Sequence, residues 1–258
     1  MLHGDATFAI GDHHEICQDW AAAGTSPGGG WALVCDGCSS SPSSDFGARL
    51  LGRAASLALE AGCFEPRAVV AEAATHARAL ALPAAALDST LVAVWEEDDR
   101  FIALVAGDGV VAARRRDGGL EHWSVELEAS APSYLSYLLD EHRLAAYLAL
   151  HGARRVIHGR DDRPSERSDD RVTRARYGVS LVLPRADYSA VVVASDGARV
   201  VADAVGALSA GGAMRALMDF KTRKGRFLRR RLRRLLRKEH WQLGDDLGVA
   251  GLLEEAPS

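Results

Sequence analysis

The sequence predicts an α+β fold, with short apolar strands, a hairpin and a few amphipathic helices, over residues 1–258 as one domain. Three observations carry this. Short apolar runs recur along the chain, as at Trp31–Cys35, Thr90–Trp95 and Tyr188–Ala194. The acidic segment Glu96–Arg100 separates two of them in the manner of a hairpin turn. Between Asp45 and Ala61, apolar residues return at helical spacing (Phe46, Leu50, Leu51, Ala54, Leu57, Ala58).

In chain order, Ala6–Ile10 reads as a strand, followed by a polar turn and Asp19–Ala23. The Gly/Ser/Pro stretch Gly24–Gly30 is a turn or hairpin loop. Trp31–Cys35 is a strongly apolar strand that runs into Asp36-Gly37-Cys38. The Asp45–Ala61 helix follows, then a second helix over Pro66–Leu80. Thr90–Trp95 and Phe101–Ala106 form the hairpin, and Val110–Arg116 continues as a strand after Gly107-Asp108-Gly109. Glu121 to Arg176 is polar and mixed, and its charged tract Arg160–Arg174 reads as an exposed loop. Tyr188–Ala194 is a buried strand ending in Ser195-Asp196-Gly197. A helical region containing the basic stretch Lys221–Lys238 comes next, and Leu247–Leu253 is the last strand. No internal repeat or dividing linker stands out.

Composition narrows the class. A chain of 258 residues with 48% hydrophobic and 26% charged residues can bury a core without staples. The net charge of −4 gives no global attraction to nucleic acid. Four unevenly spaced cysteines do not make a disulfide scaffold. No apolar run is long enough to cross a bilayer, and the first residues lack a signal pattern, so a cytoplasmic protein with reduced thiols is expected.

The recurring event is an aspartate beside glycine at a strand boundary: Cys35-Asp36-Gly37, Gly107-Asp108-Gly109, Ser195-Asp196-Gly197 and Gly244-Asp245-Asp246. Each is also an ordinary turn sequence. If the strands are neighbours, however, their carboxylates converge, and such a cluster repels itself unless cations neutralise it. Oxygen donors of this kind favour magnesium, manganese or calcium over zinc.

Taken in order, these segments resemble the motif set of the protein phosphatase 2C family, in its bacterial-type branch. His14-Glu15-Ile16-Cys17-Gln18-Asp19 is similar to the first acidic motif, and Leu33–Gly37 to the central Asp-Gly motif. Asp88-Ser89-Thr90-Leu91 resembles the Gly-Ser-Thr that opens the middle hairpin, and Gly107-Asp108-Gly109 the family's Gly-Asp-Ser. Ala194–Gly197 and Asp245–Leu247 resemble its last two metal motifs. The resemblance implies two packed, mostly antiparallel β-sheets flanked by helices on both faces, with the site at one end of the sandwich.

It further implies metal-dependent hydrolysis of phosphoserine and phosphothreonine on proteins, reversing a partner kinase, with two or three Mn or Mg ions. In this family pattern Asp36 bridges two metals and the Gly37 carbonyl ligates one. Asp196 and Asp245 complete the neighbouring metal, Asp19 acts directly or through water, and Asp108 belongs to a third, weaker site. Paired ions lower the pKa of a water that attacks phosphorus. Three positions depart from the pattern. His14 stands where many members place a phosphate-gripping arginine, Gln18 where some have glutamate, and Cys38 where some have a histidine acid. The alternative to an enzyme is a pseudophosphatase that binds a phosphoprotein or partner kinase.

Other features keep two readings. Cys35 and Cys38 form a C-x-x-C pair, but the second pair of a zinc site is missing. Lys221–Lys238 is either a helix laid on a sheet, its arginine stems covering apolar surface, or a docking face for an acidic partner, a phosphoprotein or nucleic acid. Nucleic acid and membrane partners are not expected. The run Ser133–Leu139 is either a flap over the site or a packed helix.

Overall fold

In the computed structural model, which describes residues 2–127, 132–150, 154–160, 163–165, 169–175 and 177–255, the apolar runs become strands and the periodic segments helices. The chain opens with strands β1 (Leu2–Ala9), β2 (Asp19–Ser26) and β3 (Gly29–Gly37). Helices α1 (Ser44–Glu60) and α2 (Pro66–Ala79) follow. Next come β4 (Ser89–Glu97), β5 (Arg100–Ala106), β6 (Gly109–Arg115) and β7 (Leu120–Leu127). The middle holds α3 (Glu141–Leu150), β8 (Arg154–Arg160), β9 (Arg163–Ser165), β10 (Val172–Ala175) and β11 (Gly178–Pro184). The chain then runs through β12 (Tyr188–Ala194), β13 (Val201–Ala202), α4 (Ala210–Leu217) and α5 (Phe227–Lys238) to β14 (Gln242–Leu243) and β15 (Leu247–Glu254).

One sheet has seven strands in the order β1-β15-β12-β6-β7-β8-β9; the other has six, β10-β11-β5-β4-β3-β2. Neighbours within both are antiparallel. The two-residue period of a strand explains how each sheet is covered on both sides. Val34, Val92 and Val94 of the smaller sheet meet Val111, Val191, Val193 and Leu252 of the larger one in the central layer. The intervening residues Leu33, Cys35 and Leu91 face outward against Leu51, Ala55, Val70 and Ala73 of α1 and α2. On the opposite outer face, Val110, Val192 and Val249 pack on Met214 and Leu217 of α4 and on Leu228 and Leu232 of α5. The layering is therefore helix, sheet, sheet, helix, the α+β sandwich that the sequence predicts.

The basic stretch takes the covering role. Phe227, Leu228, Leu232 and Leu235 are buried, while Arg229, Arg230, Arg233, Arg234 and Arg237 face solvent. Arg231 is buried with its neighbours satisfied: Nε donates to the Ala216 carbonyl at 2.6 Å and Nη1 to Glu239 at 2.8 Å. The helix begins only at Phe227, after Gly225 at φ 57°, so Lys221–Arg226 lies outside it.

Other expectations shift. The first strand starts at Leu2 rather than Ala6, because its whole length pairs with β15. The tract Arg160–Arg174, read as a loop, contributes β9 and β10, and β7 and β11 add two strands that the sequence did not announce. Within the run Ser133–Leu139, Leu135–Leu139 forms a short 3-10 turn whose Leu135 is buried against α1 and α2.

Candidate active site

The strand period also aims the carboxylates. Asp36 lies two residues beyond Val34 and so shares its inward face, at the open end of the sandwich. Asp19, directly opposite Asp36 in the β2–β3 register, lies two residues before Ala21, which packs into the same central layer. Asp108 sits in the connection from β5 to β6, where the chain crosses from one sheet to the other. Gly107 and Gly109, at φ 95° and 142°, give that connection a shape that side-chained residues rarely adopt. Asp196 follows β12, and Asp245 precedes β15. Both sheets thus deliver acids to one end.

There they line a cavity of about 490 Å3. Asp36, Gly37, Asp108, Asp196 and Asp245 are in its wall, as are His14, Gln18 and Cys38. Asp19 lies in the layer behind, fully buried. Among the described residues, no three His, Cys, Asp or Glu side chains close into a ready-made cation cage. The acids ring the cavity instead.

Burial and mutual repulsion dominate their electrostatics. Burial pushes Asp19 up to about 7, helped by the charge of Asp246 and opposed by a hydrogen bond from Ser195. The Ser195 hydroxyl donates to Asp19 Oδ2 at 2.6 Å, but the buried Asp19 Oδ1 has no hydrogen-bond partner among the described residues. Asp36 is driven well above the carboxylate range by burial, then by Asp19, Asp196 and Asp108. Burial also raises Asp108, to about 6, with the charge of Asp196 adding and Arg199 opposing.

A metal-free protein must therefore lose stability as these acids ionise. Each has a folded-state pKa above its unfolded value, so the folded state holds more protons between about pH 4 and 7 and stability falls as pH rises. His14, whose pKa is raised by its contact with Asp246, adds to the same trend. We expect the melting temperature of the EDTA-treated protein to rise by about 5–10 °C from pH 8 to pH 5.5, for about 2–4 kcal/mol. Saturating Mn should flatten the slope. A flat profile without metal would contradict this electrostatic picture.

Two groups that the sequence reading did not single out hold the site together. Asp246 is buried and accepts from Gly11 N at 2.8 Å and from Gln18 N at 2.6 Å. His14 Nδ1 lies 3.1 Å from Asp246 Oδ2, and its Nε2 lies 3.5 Å from Asp245 Oδ1. Asp246 thus fixes the loop that leads into Asp19, while Asp245 faces the cavity. Gly197 lets the Asp196 turn approach this knot, since a Cβ there would fall 1.9 Å from the Asp246 carbonyl oxygen. The second group is Arg199, whose Nη2 donates to Asp108 Oδ2 at 2.7 Å and Asp196 Oδ2 at 3.0 Å. Its signal in the sequence is its spacing, three residues after Asp196 in a short 3-10 turn (Asp196–Arg199), where such positions eclipse.

The departures from the motif pattern are also placed. Gln18 Nε2 donates to Ser44 Oγ at 2.9 Å, tying the first motif to the start of α1. The Cys38 thiol is 3.1 Å from Ser40 Oγ. Burial acts to raise its pKa, but hydrogen bonds with Ser40, Tyr134 and Ser41 outweigh this and bring it below the usual thiol value. Cys35 is buried on the helix-facing side of β3, and the four cysteines are free. Tyr134 joins the cavity wall beside Cys38, so the tyrosine-bearing run both packs and borders the site.

Comparison with known proteins accords with this geometry. No curated protein sequence gives a significant match. Among solved structures, the S. agalactiae serine/threonine phosphatase is similar at 16% identity and TM-score 0.55, with 99% of this chain and 100% of that chain covered. The Mycobacterium tuberculosis serine/threonine phosphatase PstP/Ppp is similar at 16% identity and TM-score 0.52, with 99% of each covered. The serine/threonine phosphatase Stp1 from Staphylococcus aureus is similar at 14% identity and TM-score 0.58, over 99% of this chain and 96% of that one. At these identities the structures establish a shared fold. The family model for protein phosphatase 2C matches residues 11–245, and the chain belongs to the protein phosphatase 2C family.

Proposed function

We propose that this chain hydrolyses phosphoserine and phosphothreonine on proteins, using Mn or Mg ions held by Asp36, the Gly37 carbonyl, Asp196 and Asp245. The observation that carries the reading is the buried Asp19 paired in register with the half-buried Asp36, which lines a cavity together with three further aspartates. The donors fit hard divalent ions: they are oxygens, they repel one another, and Asp19 Oδ1 has no hydrogen-bond donor among the described residues. When bound, the ions supply Lewis acidity and lower the pKa of water for attack on phosphorus.

The remaining work falls to the chain's own groups. Asp19 sits behind Asp36 and orients it, itself held by Ser195. His14 takes the phosphate-gripping role, because Asp246 favours its protonated form at the cavity wall. Cys38 and Tyr134 border the space for the leaving oxygen. Substrate is the phosphorylated protein left by a partner kinase, which suits an open cavity. No helix among the described residues is long and apolar enough to cross a membrane.

The test is Mn-dependent hydrolysis of p-nitrophenyl phosphate and of a phosphothreonine peptide by the full chain. We expect both to be turned over and both activities to vanish with EDTA. A folded protein that binds Mn and the peptide but hydrolyses neither substrate would be a pseudophosphatase, and the enzymatic reading would fall.

A further inference from the structure

We propose that Arg199 is a built-in cation that takes the place of a third metal ion between Asp108 and Asp196, leaving a centre of two divalent ions. The inference rests on the reading of the cavity as a metal centre. One nitrogen, Nη2, bridges the two carboxylates at 2.7 and 3.0 Å. These are charge-assisted contacts, and the guanidinium keeps its charge at any working pH. The backbone makes the arrangement local: the Asp196–Arg199 turn places the arginine on the same side as Asp196, three residues away.

A divalent ion at about 2.1 Å from the same two oxygens would have to expel the guanidinium or share them with it. Both cost Coulomb energy, because two cations would then meet over carboxylates that already have a partner. Arg199 also neutralises negative charge that Asp36 would otherwise face from Asp108 and Asp196. The other three predicted ligand side chains, Asp19, Asp36 and Asp245, have no lysine or arginine ion pair among the described residues. The arginine therefore closes one cation position and leaves the rest open.

The experiment counts bound Mn per chain by equilibrium dialysis, with free Mn read by electron paramagnetic resonance. Melting curves show that each variant is folded. Wild type is expected to bind two ions, and Arg199→Lys, which keeps a cation, also two. Arg199→Gln should gain one further, weaker ion, and Arg199→Gln with Asp108→Asn should return to two. Three ions in wild type, or the same count in wild type and Arg199→Gln, would overturn the inference while leaving the metal centre standing. No bound Mn in any variant would overturn the metal centre and the inference together.

Discussion

Replacing Asp36 by asparagine is expected to cut Mn-dependent hydrolysis of p-nitrophenyl phosphate by about a thousandfold, or ~4 kcal/mol of transition-state stabilisation. The same change should raise the melting temperature of the metal-free protein at pH 8. The two effects have one cause. Asp36 is held among Asp19, Asp108, Asp196 and Asp245, and burial with their repulsion opposes its ionisation. Asparagine keeps the shape, removes the charge and supplies a weaker metal ligand. A stabilised, inactive protein is the signature of a residue retained for function at the expense of folding. Retained activity would remove Asp36 from the metal centre, and an inactive variant with a collapsed melting temperature would assign it a packing role instead.

Asp246→Ala should act in the opposite direction, lowering stability by about 3 kcal/mol and the melting temperature by about 6–12 °C. The carboxylate is buried and accepts two backbone N–H groups from segments 235 and 228 residues away in sequence. Alanine strands both donors and frees the loop that carries His14 and Gln18 into Asp19. Activity should fall with stability, whereas Asp246→Asn, which keeps one acceptor, should lie between. A melting temperature within a degree of wild type would show that the knot is not structural.

The legible parts of this molecule are those where local pattern and tertiary role agree. β3, β4 and β12 carry near-continuous apolar runs because both of their faces are covered, and the acid at the boundary of β3 or β12 is conspicuous against them. At Gly107-Asp108-Gly109 the two glycines shape the turn that places the acid in the cavity wall. β7 was hidden because its buried face is partly polar. Glu121 is satisfied by Arg171 at 2.8 Å and by the Tyr188 hydroxyl at 2.8 Å, partners that lie 50 and 67 residues away. No local rule exposes such a partnership. Arg199 is inconspicuous in the sequence because a cluster of acids gives no local sign of a cation among them, and Asp246 because two adjacent aspartates look alike until one is buried.

The position of β15 has a consequence for how this protein comes into being. It lies between β1 and β12, so the first strand has no place in its sheet until residues 247–254 are available. Asp19 and Asp36 can meet early, across a hairpin, but Asp245 and the Asp246 clasp on Gly11 and Gln18 arrive with that late strand. Such distant pairings make for slow folding. On the ribosome, the nascent chain holds two open strand edges, on β1 and β12, that invite pairing with other chains until synthesis reaches the final strand. Assembly of the acidic centre is thereby coupled to synthesis of β15, and a product that stops before it has neither β1 paired in its sheet nor a finished site.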